Sequence, residues 1–184
     1  MKTFAVMVQT KELRPWSSEI EEVFRTHYTN AFRAAYRITG SHSDAEDVLQ
    51  TLFLRLLRRG PAGELVSNLG GYVYRAAINA SLDVLRSRRD GRCIPLQEED
   101  LPAGGKISPD RTLESKETQV WLRGALAGMN PRWAEIFILR YFDEFDNREI
   151  ARMLHISHAT VAVTLYRVRR LLEREFKARM RGNR

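Results

Sequence analysis

The stretch NREIARMLHISHATVAVTLYRVRRLL, Asn147 to Leu172, decides the fold. It reads as two helices joined by a tight turn, the second running into a cluster of arginines. Ile150, Leu154, Ile156, Val161 and Leu165 are apolar where two such helices must pack, and Ala151 is small where they touch. Ser157 stands just before the second helix, where its hydroxyl can accept from free backbone N–H groups, and Asp146 or Asn147 can do the same for the first. A helix held in this helix-turn-helix arrangement fits the DNA major groove. The chain is therefore expected to contact a nucleic acid.

The rest of the chain is also helical in pattern. Ile20, Val23, Phe24, Ala31, Ala35 and Ile38 recur at three- and four-residue steps and form one apolar stripe, which Gly40 ends. Ser43 and Glu46 are spaced as a capping box for a second helix. That helix has a wide apolar face of Val48, Leu49, Leu52, Phe53, Leu56 and Leu57, and Gly60-Pro61 stops it. A third helix is expected from about Leu69 to Arg88, with Arg86, Arg88 and Arg89 at its end. From Asp90 to Pro109, three prolines and three glycines break any regular element, so a flexible linker is expected. Its acidic cluster, Glu98 to Asp100, reads as solvation or as a segment tracking a basic channel. Helical pattern resumes at Thr112, and Asn130-Pro131 marks a further helix start. No strand-like alternation occurs. The fold expected is all-α: two small helical domains joined by a flexible linker, the second containing the helix-turn-helix.

Composition agrees with such a chain. At 184 residues and 43% hydrophobic content there is material for two small cores, and a net charge of +7 favours a polyanionic partner. The lone cysteine, Cys93, excludes an internal disulfide and a cysteine-based zinc site. No segment has the roughly 20 apolar residues needed to span a bilayer. Phe4 to Val8 is too short for a secretory signal, so a cytoplasmic location is expected. There is no phosphate-cradling glycine loop, metal-ligand cluster or activated nucleophile, so no enzyme activity, metal or cofactor is expected.

Three stretches now stand in a set order: SDAEDVLQTLFLRLL (Ser43 to Leu57), YVYRAAINASLDVLRSRR (Tyr72 to Arg89), and the segment from Ala125 to Leu172. Together they resemble the extracytoplasmic-function sigma factors of bacterial RNA polymerase. The resemblance implies an N-terminal extension at 1–16, sigma domain 2 at 17–89, the linker at 90–111 and sigma domain 4 at 112–184. It implies core RNA polymerase and promoter DNA as partners, with an anti-sigma protein as a further partner in many members. Asp47, Leu49, Gln50 and Phe53 match positions that dock the polymerase, and spacing alone puts Asp47, Gln50 and Phe53 on one helix face. Phe53 also fits the apolar core. Asn79 and Ser81, poor helix-interior residues, fall where the family captures an unstacked −10 base, and Arg86, Arg88 and Arg89 would hold phosphates. His158, Thr160, Ala162, Val163, Thr164, Tyr166 and Arg167 fall where the family reads the −35 element.

The chain departs from the family pattern at named places. Ala162, Val163 and Thr164 replace a basic, a hydroxyl and a second basic side chain, which removes charge expected near the −35 groove. His155 stands where a turn glycine is usual. Gly70-Gly71-Tyr72-Val73 stands where a tryptophan and a leucine are frequent, leaving Tyr72 and Tyr74 as the nearby aromatics. Two other readings stay open: a stand-alone helix-turn-helix regulator, and a degenerate sigma-like interaction protein. A regulator has no use for the Ser43 to Leu57 pattern.

Overall fold

A computed structural model describes residues 17–59, 69–91 and 109–182. The expected N-terminal extension, the Gly60-Pro61 stop, Cys93 and the expected linker between residues 92 and 108 lie outside them. Among the described residues there are seven helices and no strand: α1 (Ser17–Thr39), α2 (His42–Arg59), α3 (Leu69–Arg89), α4 (Pro109–Gly128), α5 (Pro131–Tyr141), α6 (Asn147–Leu154) and α7 (His158–Gly182).

Helices α1, α2 and α3 form the first region. Ile20, Phe24 and Ala31 of α1 meet Leu49, Leu52 and Leu56 of α2 and Val73 and Ala77 of α3 in one apolar cluster. Gly40 ends α1 with a left-handed backbone, φ +74°, which a side chain would strain. The chain turns there at once, so the cap of α2 is not Ser43. Ser41 takes that place, its Oγ accepting from the Asp44 amide at 3.2 Å.

The helix-turn-helix forms as its local signals require. Asn130 caps α5 through the Arg132 amide, with Pro131 in the first turn. Asp146 caps α6 in a full capping box with Glu149. The Glu149 amide leads in holding the Asp146 carboxyl below its usual range. Ser157 Oγ accepts from the Thr160 amide at 3.0 Å and opens α7. Between α6 and α7, His155 adopts the left-handed conformation at φ 51° and ψ 47°. For a residue with a Cβ this costs roughly 1–2 kcal/mol, and the entropy a glycine adds to the unfolded chain offsets about 0.4–1 kcal/mol of it, so His155→Gly is expected to raise stability by about 0.5–1 kcal/mol net. Denaturant titration checks it. A lower midpoint would mean that the imidazole contributes more than the backbone costs.

Beside the first region's own core, a second apolar cluster is shared by the two regions. Ile78, Leu82 and Leu85 on one face of α3 belong to the same apolar cluster as Leu126, Met129, Ile138, Ile150 and Val161 of the second region. A cluster of this kind forms because α3 is apolar over more of its circumference than α1 and α2 can cover. Close approach is permitted at Gly128, where any Cβ would meet the Arg89 guanidinium.

Candidate nucleic-acid interface

On α7, Val161, Leu165 and Val168 are buried at three- and four-residue steps, which leaves the opposite face outward. That face carries His158, Ala162, Val163, Tyr166, Arg167 and Arg170. Tyr166 is 61% and Val163 49% exposed. Arg170 lies over the Tyr166 ring, 5.8 Å from its centroid. Thr160 is exposed, but its hydroxyl is paired with Ser157 at 2.8 Å. Thr164, expected at the −35 surface, is 7% exposed and faces inward between Val161 and Val168. The outward face is therefore apolar in its first turns and basic after Tyr166.

On α2, Asp47 and Gln50 are exposed one turn apart. Leu49, expected beside them at the polymerase surface, is 2% exposed and belongs to the core of the first region. It lies on the inner side because Val48, Leu49 and Leu52 make the stripe that α2 turns toward its neighbours. Phe53 is half-buried and packs edge-to-face on Phe24, centroids 4.9 Å apart, so its core role is the one on view.

On α3, Ser81, expected near the −10 element, is fully buried and donates to the Ala77 carbonyl at 2.7 Å. Such back-bonding to the preceding turn is how a helical serine satisfies itself away from water. Asn79 is half-buried and donates to Glu135 Oε1 at 3.3 Å. Arg86 pairs with Asp83 at 2.8 Å, and Arg88 with Asp44. Arg89 is exposed. Asp47 and Asn79 line one groove between α2 and α3, together with Thr51, Arg55, Tyr72 and Arg75. Candidate groups that are 32 positions apart thus share a surface.

Sequence patterns do not single out Arg75, Glu135 or Asp143. Glu135 is 3% exposed, a lone carboxylate in the continuous buried run from Ala134 to Leu139. Its Oε1 accepts from Arg75 Nε at 2.9 Å, and Arg132 stands 3.6 Å from Oε2. The usable signal was an acid inside an otherwise apolar helix, since such a charge has to be paired. Tyr74 packs edge-on to Phe145 and is turned to the Asp143 carboxyl. Burial pushes that carboxyl above its usual range, against the Tyr74 hydroxyl and the Arg37 guanidinium. Arg37 stands 3.6 Å from Asp143 and donates to the Phe142 carbonyl at 2.6 Å.

Comparison with known proteins bears on what this arrangement is for. The model of sigma-70 region 4 matches residues 119–172, which contain the helix-turn-helix, and that of sigma-70 region 2 matches residues 23–90. An RNA polymerase sigma-E factor of Streptomyces avermitilis is 30% identical over 163 residues, covering 88% of this chain and 87% of that protein. The chain belongs to the extracytoplasmic-function sigma factors. These subunits join core RNA polymerase and direct it to promoters. The sigma factor SigE of Mycolicibacterium smegmatis is 27% identical over 83% of this chain, which spans only 59% of its length. Among solved structures, the sigma factor RpoE of Bartonella quintana, crystallised with the anti-sigma factor NepR, shares the fold. Its TM-score is 0.51 at 18% identity, covering 87% of this chain and 98% of that one. Among the described residues, no helix of this sigma factor is long and apolar enough to cross a membrane.

Proposed function

We propose that promoter selection is divided among three surfaces of this sigma factor. The exposed turn of α2 bearing Asp47 and Gln50 docks core polymerase. The groove face of α3, with Asn79 and the terminal Arg89, meets the −10 element. The outward face of α7 enters the major groove at the −35 element, where Ala162 and Val163 suit thymine methyl groups and Arg167 suits guanine or phosphate. The observation that carries this reading is the one-sided burial of α7, which leaves Ala162, Val163, Tyr166 and Arg167 together on one exposed face. The domain limits we propose are residues 17–89 for the first unit and 112–184 for the second, with α4 already begun at Pro109. The protein performs no bond chemistry of its own, acts in the cytoplasm beside the polymerase, and is held in check by an anti-sigma protein. The Bartonella complex supports that last point.

Run-off transcription with core polymerase on genomic fragments tests the assignment, and no stimulated transcript from any fragment would defeat it. On a promoter found this way, Arg167→Ala is expected to lower transcription about tenfold, the loss of one good base or phosphate contact. Unchanged output from a −35-dependent template would remove Arg167 from the interface.

A further inference from the structure

We infer that the C-terminal part of α7 is a second DNA contact: a one-sided row of cations, Arg170, Arg174, Lys177 and Arg181, that seats on the phosphates flanking the −35 element and adds affinity without adding sequence preference. This extends the −35 reading of α7, on which it rests, past the stretch that carries the family pattern.

The region 4 match ends at Leu172, but α7 runs on to Gly182, ten residues and about 15 Å further. A helix end that packs on nothing gains little from tertiary contact and frays. This one is held. Phe176 sets its ring edge-on to Trp121 of α4, centroids 5.2 Å apart, and Arg179 reaches Glu117 at 3.4 Å. Those contacts fix the inner side of the extension. At about 100° per residue, Arg167, Arg170, Arg174, Lys177 and Arg181 fall on the other side, within about 40° of the line through Val163. All five are exposed, so the row is continuous with the outward face of the helix-turn-helix. The acids of the segment, Glu173 and Glu175, stand about 80° and 120° round the helix from that line, one on each flank. Among the described residues, Arg167, Arg174, Lys177 and Arg181 have no carboxylate partner. Arg170 is tied to Tyr166, donating to its hydroxyl at 3.4 Å. The helix dipole accounts only for cations of the last turn, here Arg179 and Arg181. It explains neither Arg170 and Arg174 nor the one-sidedness of the row. Cations three and four positions apart repel, so the row costs the free helix stability that a polyanion restores. Duplex DNA meets that need. From Val163 to Arg181 the row is about 27 Å long, whereas the major groove is about 12 Å wide. A straight helix whose first turns lie in so narrow and curved a groove runs out of it, and its later turns pass over the strand that bounds it. Phosphates carry no sequence information, so contacts there position the helix rather than read bases.

The test combines Arg174→Gln, Lys177→Gln and Arg181→Gln in the full chain, with circular dichroism confirming the fold. Holoenzyme assembled with core polymerase is titrated onto a −35-dependent promoter fragment over a range of salt concentrations. Each phosphate contact contributes about 0.9 to the slope of log affinity against log salt, so the slope should shrink by about 2.7 and affinity near physiological salt should fall at least about tenfold. The penalty for a base substitution within the −35 element should be the same for variant and wild type. Arg174→Lys with Arg181→Lys, which keeps both charges, should keep the wild-type slope. An unchanged slope in the folded triple variant overturns the proposal. Weakened core binding with an unchanged DNA slope overturns it too and gives the row to the polymerase. So does a changed penalty for −35 substitutions, because the side chains would then read bases. If Arg167→Ala and −35 substitutions both leave wild-type binding unaltered, the −35 reading of α7 falls and the row with it. If they lower binding while the triple variant does not, only the row is wrong.

Discussion

Asp47→Arg combined with Gln50→Ala is expected to weaken binding to core RNA polymerase at least about thirtyfold, while the fold stays intact. Both side chains are exposed on α2, so neither change removes a core contact. The arginine reverses a charge at the centre of the face assigned to the polymerase, and groups at the centre of an interface commonly cost about 2 kcal/mol or more when altered. That energy is the thirtyfold change. A juxtaposed like charge acts as repulsion besides the lost contact, so the effect should appear in the association rate and in its salt dependence. Binding to labelled core polymerase measures it, with thermal unfolding as the control. Undiminished binding by the folded double variant would take the polymerase surface away from this face of α2.

Leu49→Ala should do the opposite: lower stability strongly and leave the docking surface as it is. Leu49 lies between those two positions in sequence but points into the cluster of Phe24, Leu52 and Val73. Truncating a fully buried leucine removes its transfer free energy and leaves a cavity, together about 2–5 kcal/mol. For a chain of this size the unfolding midpoint should fall by roughly 5–20 °C. Well below that midpoint the folded fraction should bind core polymerase as the wild type does. If stability is unchanged and polymerase binding is lost, Leu49 belongs to the docking surface after all and the inward orientation is mistaken.

How much could be read without coordinates depends on how local the deciding interaction is. The Asp146 capping box, the Asn130-Pro131 start, the Ser157 cap and the left-handed turn at His155 are each settled within four residues. A 3.6-residue period then places Val161, Leu165 and Val168 inward, and with them the outward face of α7. All of this is dictated by the chain itself. Ser41 as the cap of α2 was already less legible, because the left-handed Gly40 had to restart the helix two residues early. Leu49, Ser81 and Thr164 are expected at contact surfaces but lie inward, for a common reason. A family motif names positions that are functional as a group, but whether a side chain in that group points outward depends on which neighbouring helices cover the stripe beside it. Burial of all three to below 8% exposure is a property of the packed helices together. The pairing of Glu135 with Arg75 and Asn79 lies furthest from local reach. Periodicity can show that Glu135 is an acid among apolar residues and that Arg75 shares a stripe with Asn79. It says nothing about which surfaces separated by more than fifty residues meet, since that follows from the apolar face of α3 left over by α1 and α2 and from the second region filling it. The sequence alone thus determined the helices, the caps of α5, α6 and α7 and the outward side of α7, while only the tertiary structure decided that Arg75 and Asn79 of α3 are held by a carboxylate from the other half of the chain.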